Sequence, residues 1–260
     1  SEMCIRDRAY LVNKADNEVN ALTKLGIGIP GSLSPRTNLV RNANSTWLIG
    51  KPLKQDLEKI LKRDVLIEND ANCFAISEAF DGAGSKAHTV FGVILGTGVG
   101  AGIVIGKKIH KGKNKIAGEW GHNPLPWANE GELPGKKCYC GRTGCLETFI
   151  SGPAIEREFN NLHGKNLNMK NIVKESGAGN FKAEQTIRNF EDRLARALAH
   201  VINILDPDSI VLGGGLSNID RLYSNVPKIW AEYIFSDDVS TVLSKARFGD
   251  SSGVRGAAWL

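Results

Sequence analysis

The chain has 260 residues and a mass of 28.2 kDa, which is enough for one large domain or two ordinary ones. Apolar residues make up 42% and charged residues 23%, a globular composition that excludes general disorder. The formal net charge is +5, but the lysines and arginines are scattered, and no basic arm or aromatic ladder accompanies them. The composition therefore gives no support to nucleic-acid binding.

Alternating strand and helix patterns run through the chain, which is typical of an α/β protein. Residues 1–8 join awkwardly to the residues after them, so we treat them as a non-native segment outside the fold. The elements predicted beyond this segment are, in chain order, a strand at 25–29, a helix at 51–62, a strand at 65–67, a helix at 71–80, strands at 89–95 and 102–105, helices at 147–162 and 183–205, a strand at 210–212 and a helix at 220–234.

One uncharged stretch, residues 89–106, is long enough to suggest a membrane span. Its six glycines argue against a lipid-facing helix, and two buried strands joined by a glycine turn explain it better. Residues 1–8 lack the apolar core of a signal peptide, and five cysteines do not form the even set of a disulfide framework. These features predict a cytoplasmic protein without membrane segments.

Three cysteines, Cys138, Cys140 and Cys145, fall within eight residues of one another. Thiols this close, separated by glycines that permit sharp turns, can converge on one tetrahedral ion, so the loop predicts a structural zinc site. Zinc needs a fourth ligand, and His122 is the best candidate upstream. The alternatives are three buried thiols that bind no metal and a histidine that is an ordinary hydrogen-bonded side chain.

Two glycine-rich segments each follow a predicted strand. In such segments backbone N–H groups can approach phosphate oxygens closely, and a threonine hydroxyl in the first segment adds a donor. The alternatives are a purely structural hairpin for the first segment and a strand-to-helix turn for the second. The candidate nucleotide-binding residues are Gly96, Thr97, Gly98, Gly100, Gly102, Gly213, Gly214 and Gly215.

Asn69 and Asp70 stand where a predicted strand ends and a helix begins, which is where ligands collect in α/β sheets. A carboxylate there can accept the proton of a substrate hydroxyl while the adjacent amide orients it. A helix N-cap is the simpler local explanation for Asp70. Glu119 and Glu147 flank the cysteine loop and either bind substrate hydroxyls or are solvated.

Together, and in this order, the motifs resemble the ROK family of bacterial sugar kinases and repressors, from about Gly26 to Leu260. The stretches Asn42–Trp47 and Gly121–Trp127 are most similar to the fructokinase branch. The motifs that carry the resemblance are Gly28–Gly31, Asn42–Asn44, Glu68–Cys73, Leu95–Gly98, Gly118–His122, the cysteine loop followed by Glu147, and Leu212–Gly215.

The resemblance implies an actin-like, ribonuclease H-like ATPase fold in which two α/β lobes enclose a central cleft. The small lobe would comprise residues 9–84 and 246–260, and the large lobe, with the zinc loop, residues 85–245. The resemblance also implies a homodimer. ROK kinases begin with an Asp-x-Gly-Gly-Thr phosphate loop, and none precedes Gly26, so we expect the N-terminal part of the fold to be missing and this chain to be poorly active.

The resemblance further implies the role of each site residue. Asp70 matches the catalytic base, and His122, Cys138, Cys140 and Cys145 match the zinc ligands. The glycines 96–102 match the second phosphate loop, and 213–215 the turn beside adenosine. The implied substrate-binding residues are Asn44, Asn69, Asp70, Glu119, His122 and Glu147.

The function implied is transfer of a phosphoryl group from ATP, bound with Mg²⁺, to a hexose. The two fructokinase-like stretches favour fructose, with fructose 6-phosphate as the product. The alternatives are an N-acetylglucosamine kinase or glucokinase of the same family, a sugar-responsive transcriptional repressor, and a sugar-binding protein without activity.

Overall fold

The computed structural model describes residues 2–43 and 45–260, and the side chains of all of these except 2–5 and 250. The helices are α1 (Glu2–Val19), α2 (Leu53–Leu61), α3 (Asp70–Phe80), α4 (Glu147–Ile150), α5 (Gly152–His163), α6 (Met169–Gly177), α7 (Phe181–Leu205), α8 (Leu222–Trp230) and α9 (Ser252–Ala258). The strands are β1 (Leu25–Ile29), β2 (Ser32–Leu33), β3 (Val40–Arg41), β4 (Val65–Asn69), β5 (Thr89–Leu95), β6 (Val99–Ile105), β7 (Lys108–Ile109), β8 (Ser209–Gly213) and β9 (Val242–Lys245).

The strands form one mixed sheet and two small ones. The large sheet has the order β7-β6-β5-β8-β9, with β5 antiparallel to β6 and parallel to β8. In the small sheets β1 pairs in parallel with β4, and β2 pairs with β3 as an antiparallel hairpin. The carboxyl ends of β4, β5 and β8 are therefore available to form a ligand site, as in other α/β folds.

Three groups of buried apolar side chains support these sheets. The largest lies between the large sheet and helices α5 to α8, and includes the fully buried Phe159, Phe190 and Leu194. A smaller core joins β1, β3 and β4 to α2. The third core surrounds α3 and contains Phe74 and Val211. Burial of these side chains is the main stabilising contribution to each unit.

Helix α3 is buried along its length, from Ala71 to Ala79, because its neighbours carry glycine where they contact it. A Cβ at Gly92 or Gly102 would lie 2.8 Å from side-chain or backbone atoms of Ala75. Helix α9 packs against α3 and β1, and a Cβ at Gly256 would collide with the backbone carbonyl of Cys73. These glycines allow α3 to lie closer to the sheet and to α9 than any side chain would permit.

The predicted α/β order is confirmed, and the differences have local causes. Strand β6 begins at Val99, three residues earlier than predicted, because the glycines of this segment pair with β5. The predicted helix 147–162 is broken at Ser151, whose hydroxyl accepts the N–H of Ala154 as the N-cap of α5. Helix α1 runs through residues 2–8, which were predicted to lie outside the fold. The predicted lobe boundaries stay a prediction.

Across residues 2–43 and 45–260, the helices fall short of the length and apolar character needed to span a bilayer.

Replacement of Gly256 by alanine tests the packing of α9 on α3. We expect Gly256→Ala to lower the free energy of unfolding by about 1–3 kcal/mol, since the new methyl group overpacks the contact with Cys73. Gly253→Ala is the matched control, because it lies in the same helix and its Cβ meets no atom within 4 Å. The control should be neutral or stabilising by up to about 1 kcal/mol. Equal effects in urea unfolding curves would contradict the packing argument.

Candidate functional site

Asn69 ends β4 and Asp70 begins α3, so both lie at the carboxyl end of a parallel strand. Asn69 Oδ1 accepts the N–H groups of Ala71 at 2.9 Å and Asn72 at 3.2 Å, and its Nδ2 donates to the Gly31 carbonyl at 3.0 Å. Asn69, rather than Asp70, is therefore the N-cap of α3. The Asp70 carboxylate opens to solvent in a cleft, but the protein packed around it raises its pKa, which suits a proton acceptor.

The two glycine turns lie side by side at the same edge of the large sheet. Residues 96–98 join β5 to β6, with Thr97 exposed at the tip. Strand β8, the neighbour of β5, ends at Gly213. The next residue, Gly214, has φ of 78° and lies against the backbone of Leu95, so a side chain there is excluded by both conformation and space.

Several of the candidate nucleotide-binding glycines have a packing reason to lack a side chain. Gly102 faces α3 at Ala75, Gly213 faces the ring of Phe74, and Gly214 lies against the backbone of Leu95. Their nucleotide contacts stay a prediction. Gly96, Gly98 and Gly100 are the candidate glycines that line the cleft.

Glu119 and His122 reach the cleft from a 3₁₀ turn, Trp120–His122, that rests on β6. Gly121 lies so close to β6 that a Cβ there would collide with the strand backbone. Burial raises the pKa of Glu119, and the nearby charges of His122 and Arg41 only partly oppose this. The turn thus places a carboxyl group and an imidazole opposite the start of α3.

Four ligand atoms converge as the cysteine spacing predicts. One atom each from His122, Cys138, Cys140 and Cys145 all lie within 4.8 Å of one another. The Sγ atoms of Cys140 and Cys145 are 3.6 Å apart, and Cys138 Sγ is 3.5 Å from His122 Nδ1. Ligands of a tetrahedral ion with bonds of about 2.3 Å lie about 3.8 Å apart. The donor set and spacing therefore fit a tetrahedral metal ion.

The three thiols differ in acidity. Burial raises the pKa of Cys145 to about 12 and also raises that of Cys138. Burial acts on Cys140 as well, but hydrogen bonds from Arg142 outweigh it and lower the pKa of this thiol to about 6. Cys140 is thus the most acidic of the three thiols, and metal binding requires thiolates.

Glu147 connects the cysteine loop to the first glycine turn. Its Oε2 accepts the backbone N–H of Val99 at 3.0 Å, and its Oε1 lies 4.0 Å from Cys138 Sγ. A Cβ at Gly98 would lie 2.7 Å from Glu147 Oε2. The carboxylate is therefore held in a fixed position between the two segments.

Tyr139 is a cleft residue that the sequence did not predict. Its hydroxyl lies 3.0 Å from His122 Nε2, and the two rings meet edge to face with centroids 5.1 Å apart. Burial, followed by the charge of Glu147, raises the pKa of Tyr139 to about 12. The phenol thus stays protonated, and its hydroxyl contacts the imidazole nitrogen, Nε2, that does not face the cysteines. No sequence pattern predicts that Tyr139, which lies between Cys138 and Cys140, contacts His122.

The cleft brings most of the predicted site together around a cavity of about 190 Å³. Asn44 lies outside the described residues. The predicted residues that line the cavity are Asn69, Asp70, Gly96, Thr97, Gly98, Gly100, Glu119, His122 and Glu147.

Buried ion pairs fasten the loop that carries His122 and the cysteines to α7. Glu132 is 7% exposed and accepts hydrogen bonds from Arg193 and Arg196 at 2.8 Å each. Arg196 also donates to the carbonyls of Pro126 and Trp127. Burial alone would raise the pKa of Glu132, but the bonds from Arg196 and Arg193 lower it to about 2. No sequence pattern predicts this cluster, because its members are about 60 residues apart.

The mixed sheet and the cleft at its carboxyl edge define an α/β protein with the actin-like architecture that the sequence predicts. Comparison with known families makes this specific. The ROK family matches residues 4–260, and the chain belongs to this family.

Two N-acetyl-D-glucosamine kinases, from Pectobacterium carotovorum subsp. carotovorum and Vibrio vulnificus, are 41% and 40% identical to this chain. The matches cover 96% and 97% of this chain and 84% of each relative.

Solved structures give the same family. A ROK hexokinase from Thermus thermophilus superposes with a TM-score of 0.88 at 28% identity, covering 99% of this chain and 85% of the other. A ROK glucokinase from Streptomyces griseus, in complex with glucose and AMPPNP, superposes with a TM-score of 0.79 at 27% identity, and the match covers 99% of this chain and 87% of the glucokinase. A ROK transcriptional regulator superposes with a TM-score of 0.81 at 22% identity, and the match covers 98% of this chain and 67% of the regulator. The fold alone therefore does not separate kinases from regulators.

Glu132→Gln tests the ion pairs that hold the cysteine loop. Its folded pKa of about 2 is below the ordinary value of about 4.3. The ionised carboxylate of Glu132 therefore contributes its full stabilisation to the folded protein at pH values above the ordinary pKa, and this contribution is lost as pH falls towards 2. We expect the variant to unfold about 3 kcal/mol more easily at neutral pH, because two arginines lose a buried partner.

The difference in melting temperature between wild type and Glu132→Gln should narrow below about pH 4. Glu130→Gln, an exposed neighbour in the same turn, is the control and should have no effect. A difference that stays constant down to about pH 2.5 would mean that the charge of Glu132 is not what stabilises the loop.

Proposed function

We propose that the chain is a sugar kinase that transfers the γ-phosphoryl group of ATP to a hexose hydroxyl. The observation that carries this proposal is that Asp70, a carboxylate of raised pKa, lines one cavity together with the glycine turn at 96–98 and with Glu119, His122 and Glu147. Phosphoryl transfer needs position and charge neutralisation more than covalent chemistry, and this cleft offers both.

In this mechanism Asp70 accepts the proton of the attacking hydroxyl as its oxygen bonds to phosphorus, and ADP leaves with the electrons of the broken bond. Asn69, Glu119 and Glu147 hold the other hydroxyls of the sugar. Within the 96–98 turn the N–H of Gly96 donates to the carbonyl of Gly98, so the N–H groups of Thr97 and Gly98 are the ones that would face the phosphates. Mg²⁺, bound with ATP, supplies further neutralisation of the phosphate charge.

N-acetylglucosamine is the sugar we propose as substrate, because the relatives about 40% identical to this chain carry that specificity in their names. Fructose is the second candidate, favoured by the stretches 42–47 and 121–127. However, Trp127 packs against Tyr233, with ring centroids 5.2 Å apart, and against His200, so that end of the second stretch supports α7 rather than the cleft.

We further propose that the metal held by the cysteine cluster is zinc, since three thiolates and one imidazole are a common zinc donor set. His122 would bind it through Nδ1, the nitrogen 3.5 Å from Cys138 Sγ, which leaves Nε2 to Tyr139. The ion would fix the loop and thereby His122 and Tyr139, without contact with the phosphoryl group.

A sugar-responsive repressor is the rival proposal, because a ROK regulator shares the fold. The complete set of Asp70, Asn69 and the 96–98 turn favours a kinase, since a repressor needs only to bind the sugar.

Asp70→Asn tests the assignment of the base. We expect it to retain sugar binding, measured by calorimetry, and to slow formation of sugar phosphate, measured by mass spectrometry, by about 10²–10⁴-fold. In the wild type, activity should fall as pH drops through the pKa of Asp70, which burial raises from the ordinary aspartate value. Asp64→Asn is the matched control, because Asp64 is exposed and lies just before β4.

A comparison of N-acetylglucosamine, fructose and glucose as substrates tests the choice of sugar. Binding of a sugar without formation of any sugar phosphate would favour the repressor.

Elemental analysis tests the zinc proposal. Purified, reduced protein should contain about one zinc per chain, and Cys145→Ser should lose most of it. Cys73→Ser, which changes a buried thiol outside the cluster, is the control and should keep the metal. Removal of the ion by a chelator should weaken sugar binding through His122 and its loop. Metal-free protein that binds sugar with unchanged affinity would refute the structural role.

A further inference from the structure

A pair of opposite charges crosses the cleft beside Asp70. Lys111 lies in the segment 110–118, which follows β7 and leads to Glu119, and its Nζ is 2.6 Å from Glu68 Oε2. Glu68 belongs to β4, on the other side of the cleft, and its side chain is 9% exposed. The pair thus joins two segments that are distant in sequence and both reach the candidate site.

The second oxygen of Glu68 organises the start of α3. Glu68 Oε1 accepts the backbone N–H of Asn69 at 2.9 Å and Nδ2 of Asn72 at 3.0 Å. Asn69 is the N-cap of α3 and immediately precedes Asp70. The Glu68 carboxylate therefore forms an ion pair with Lys111 and also accepts hydrogen bonds from the two asparagines on either side of Asp70.

The segment 110–118 does not pack tightly against the end of β4 at this point. A cavity of about 120 Å³ separates the two segments and is lined by Ser32, Glu68, Asp70, Asn72, Lys111 and Glu119 among others. Asn72 is buried, and within the described part of the chain its Oδ1 has no hydrogen-bond partner. The pair of Lys111 and Glu68 therefore spans a part of the cleft where a cavity, lined by polar and apolar side chains, lies between the two segments.

Arg41 makes a second connection to the same segment. Its Nη2 donates to the carbonyl of Asn114 at 2.8 Å and lies 3.5 Å from that of Lys115, while its Nε is 3.4 Å from Ser32 Oγ. These bonds go to two backbone oxygens and one hydroxyl, so Arg41 does not pair with Glu68. Lys111 is thus the cation that the structure pairs with the buried carboxylate of Glu68.

We propose that Lys111 is a positioning residue for the sugar site: through Glu68 it holds the segment leading to Glu119 against the start of α3. The inference rests on the proposed sugar kinase function. Loss of Lys111 would leave a buried carboxylate without a counter-ion beside Asp70 and would loosen the 110–118 segment, which Arg41 would still hold at Asn114. Loss of both charges would remove the penalty of the unpaired carboxylate.

Lys111→Met removes the charge and keeps the length of the side chain. We expect it to weaken N-acetylglucosamine binding, measured by calorimetry, about three- to tenfold, a modest loss because Lys111 is half exposed. Lys111→Arg should restore the affinity. Lys113→Met is the matched control, since Lys113 is exposed in the same segment and should leave binding unchanged.

The double variant Lys111→Met/Glu68→Gln separates pairing from a general effect on folding. It should bind sugar more tightly than Lys111→Met alone, because no unpaired buried charge remains. If the double variant is as weak as the sum of the two single variants, the pair does not act as a unit and the proposal is wrong.

Hydrogen–deuterium exchange tests the connection without any ligand. In Lys111→Met, amides in residues 65–72 and 110–118 should exchange several-fold faster, while Lys113→Met should match the wild type. Unchanged exchange in both segments would overturn the proposal. If exchange rises as expected but no hexose binds the wild type, the proposed sugar kinase function fails and the connection between the segments stands.

Discussion

Helix α3 can lie in the centre of this molecule only because the residues facing it lack side chains. Gly92 and Gly102 of the large sheet, Gly213 at the end of β8 and Gly256 of α9 all contact it directly. Because protein interiors are close-packed, even one added methyl group disturbs them. The position of α3 is therefore determined jointly by the strands and the helix that contact it. The carboxylate at its first residue is therefore fixed by the whole core, although it opens to solvent.

The opposite wall of the cleft is built in another way. It consists of loop, and charges and metal-ligand atoms add to the order that Trp120, Leu125 and Leu146 contribute by joining the largest core. Glu132 with two arginines of α7 fixes the middle of this loop, and the cluster of three thiols and one imidazole fixes its ends. Both kinds of contact require a specific geometry, so the residues of the loop near Glu132 and near the cluster have defined positions. Such a loop tolerates sequence change between its fixed points.

The sequence predicted the elements and residues whose signal is local. Strand–helix alternation identified the α/β fold, and the cysteine spacing identified the cluster, because both patterns are contained in short windows. Tyr139, Lys111 and Arg196 could not be found in this way, since their roles depend on partners far along the chain. Glycine was ambiguous for a different reason: Gly102 and Gly98 occur in one motif, yet the first contacts α3 and the second lines the cleft. The strand β9 and helix α6 were missed because their apolar patterns are short.

The charges of the cleft come from side chains and not from its glycine turn. Asp70, Glu119 and Glu147 present carboxylates, which accept hydrogen bonds from hydroxyls but repel phosphate. The turn at 96–98 presents backbone and adds no charge of its own, but the Glu147 carboxylate accepts the N–H of Val99 directly beside it. A neutral polyhydroxy compound therefore suits the carboxylates, whereas an anion at the turn needs a cation that offsets Glu147. Lys111 offsets the charge of Glu68 behind Asp70 but is already paired there. Under the proposed function, Mg²⁺ bound with ATP would supply the positive charge at the turn.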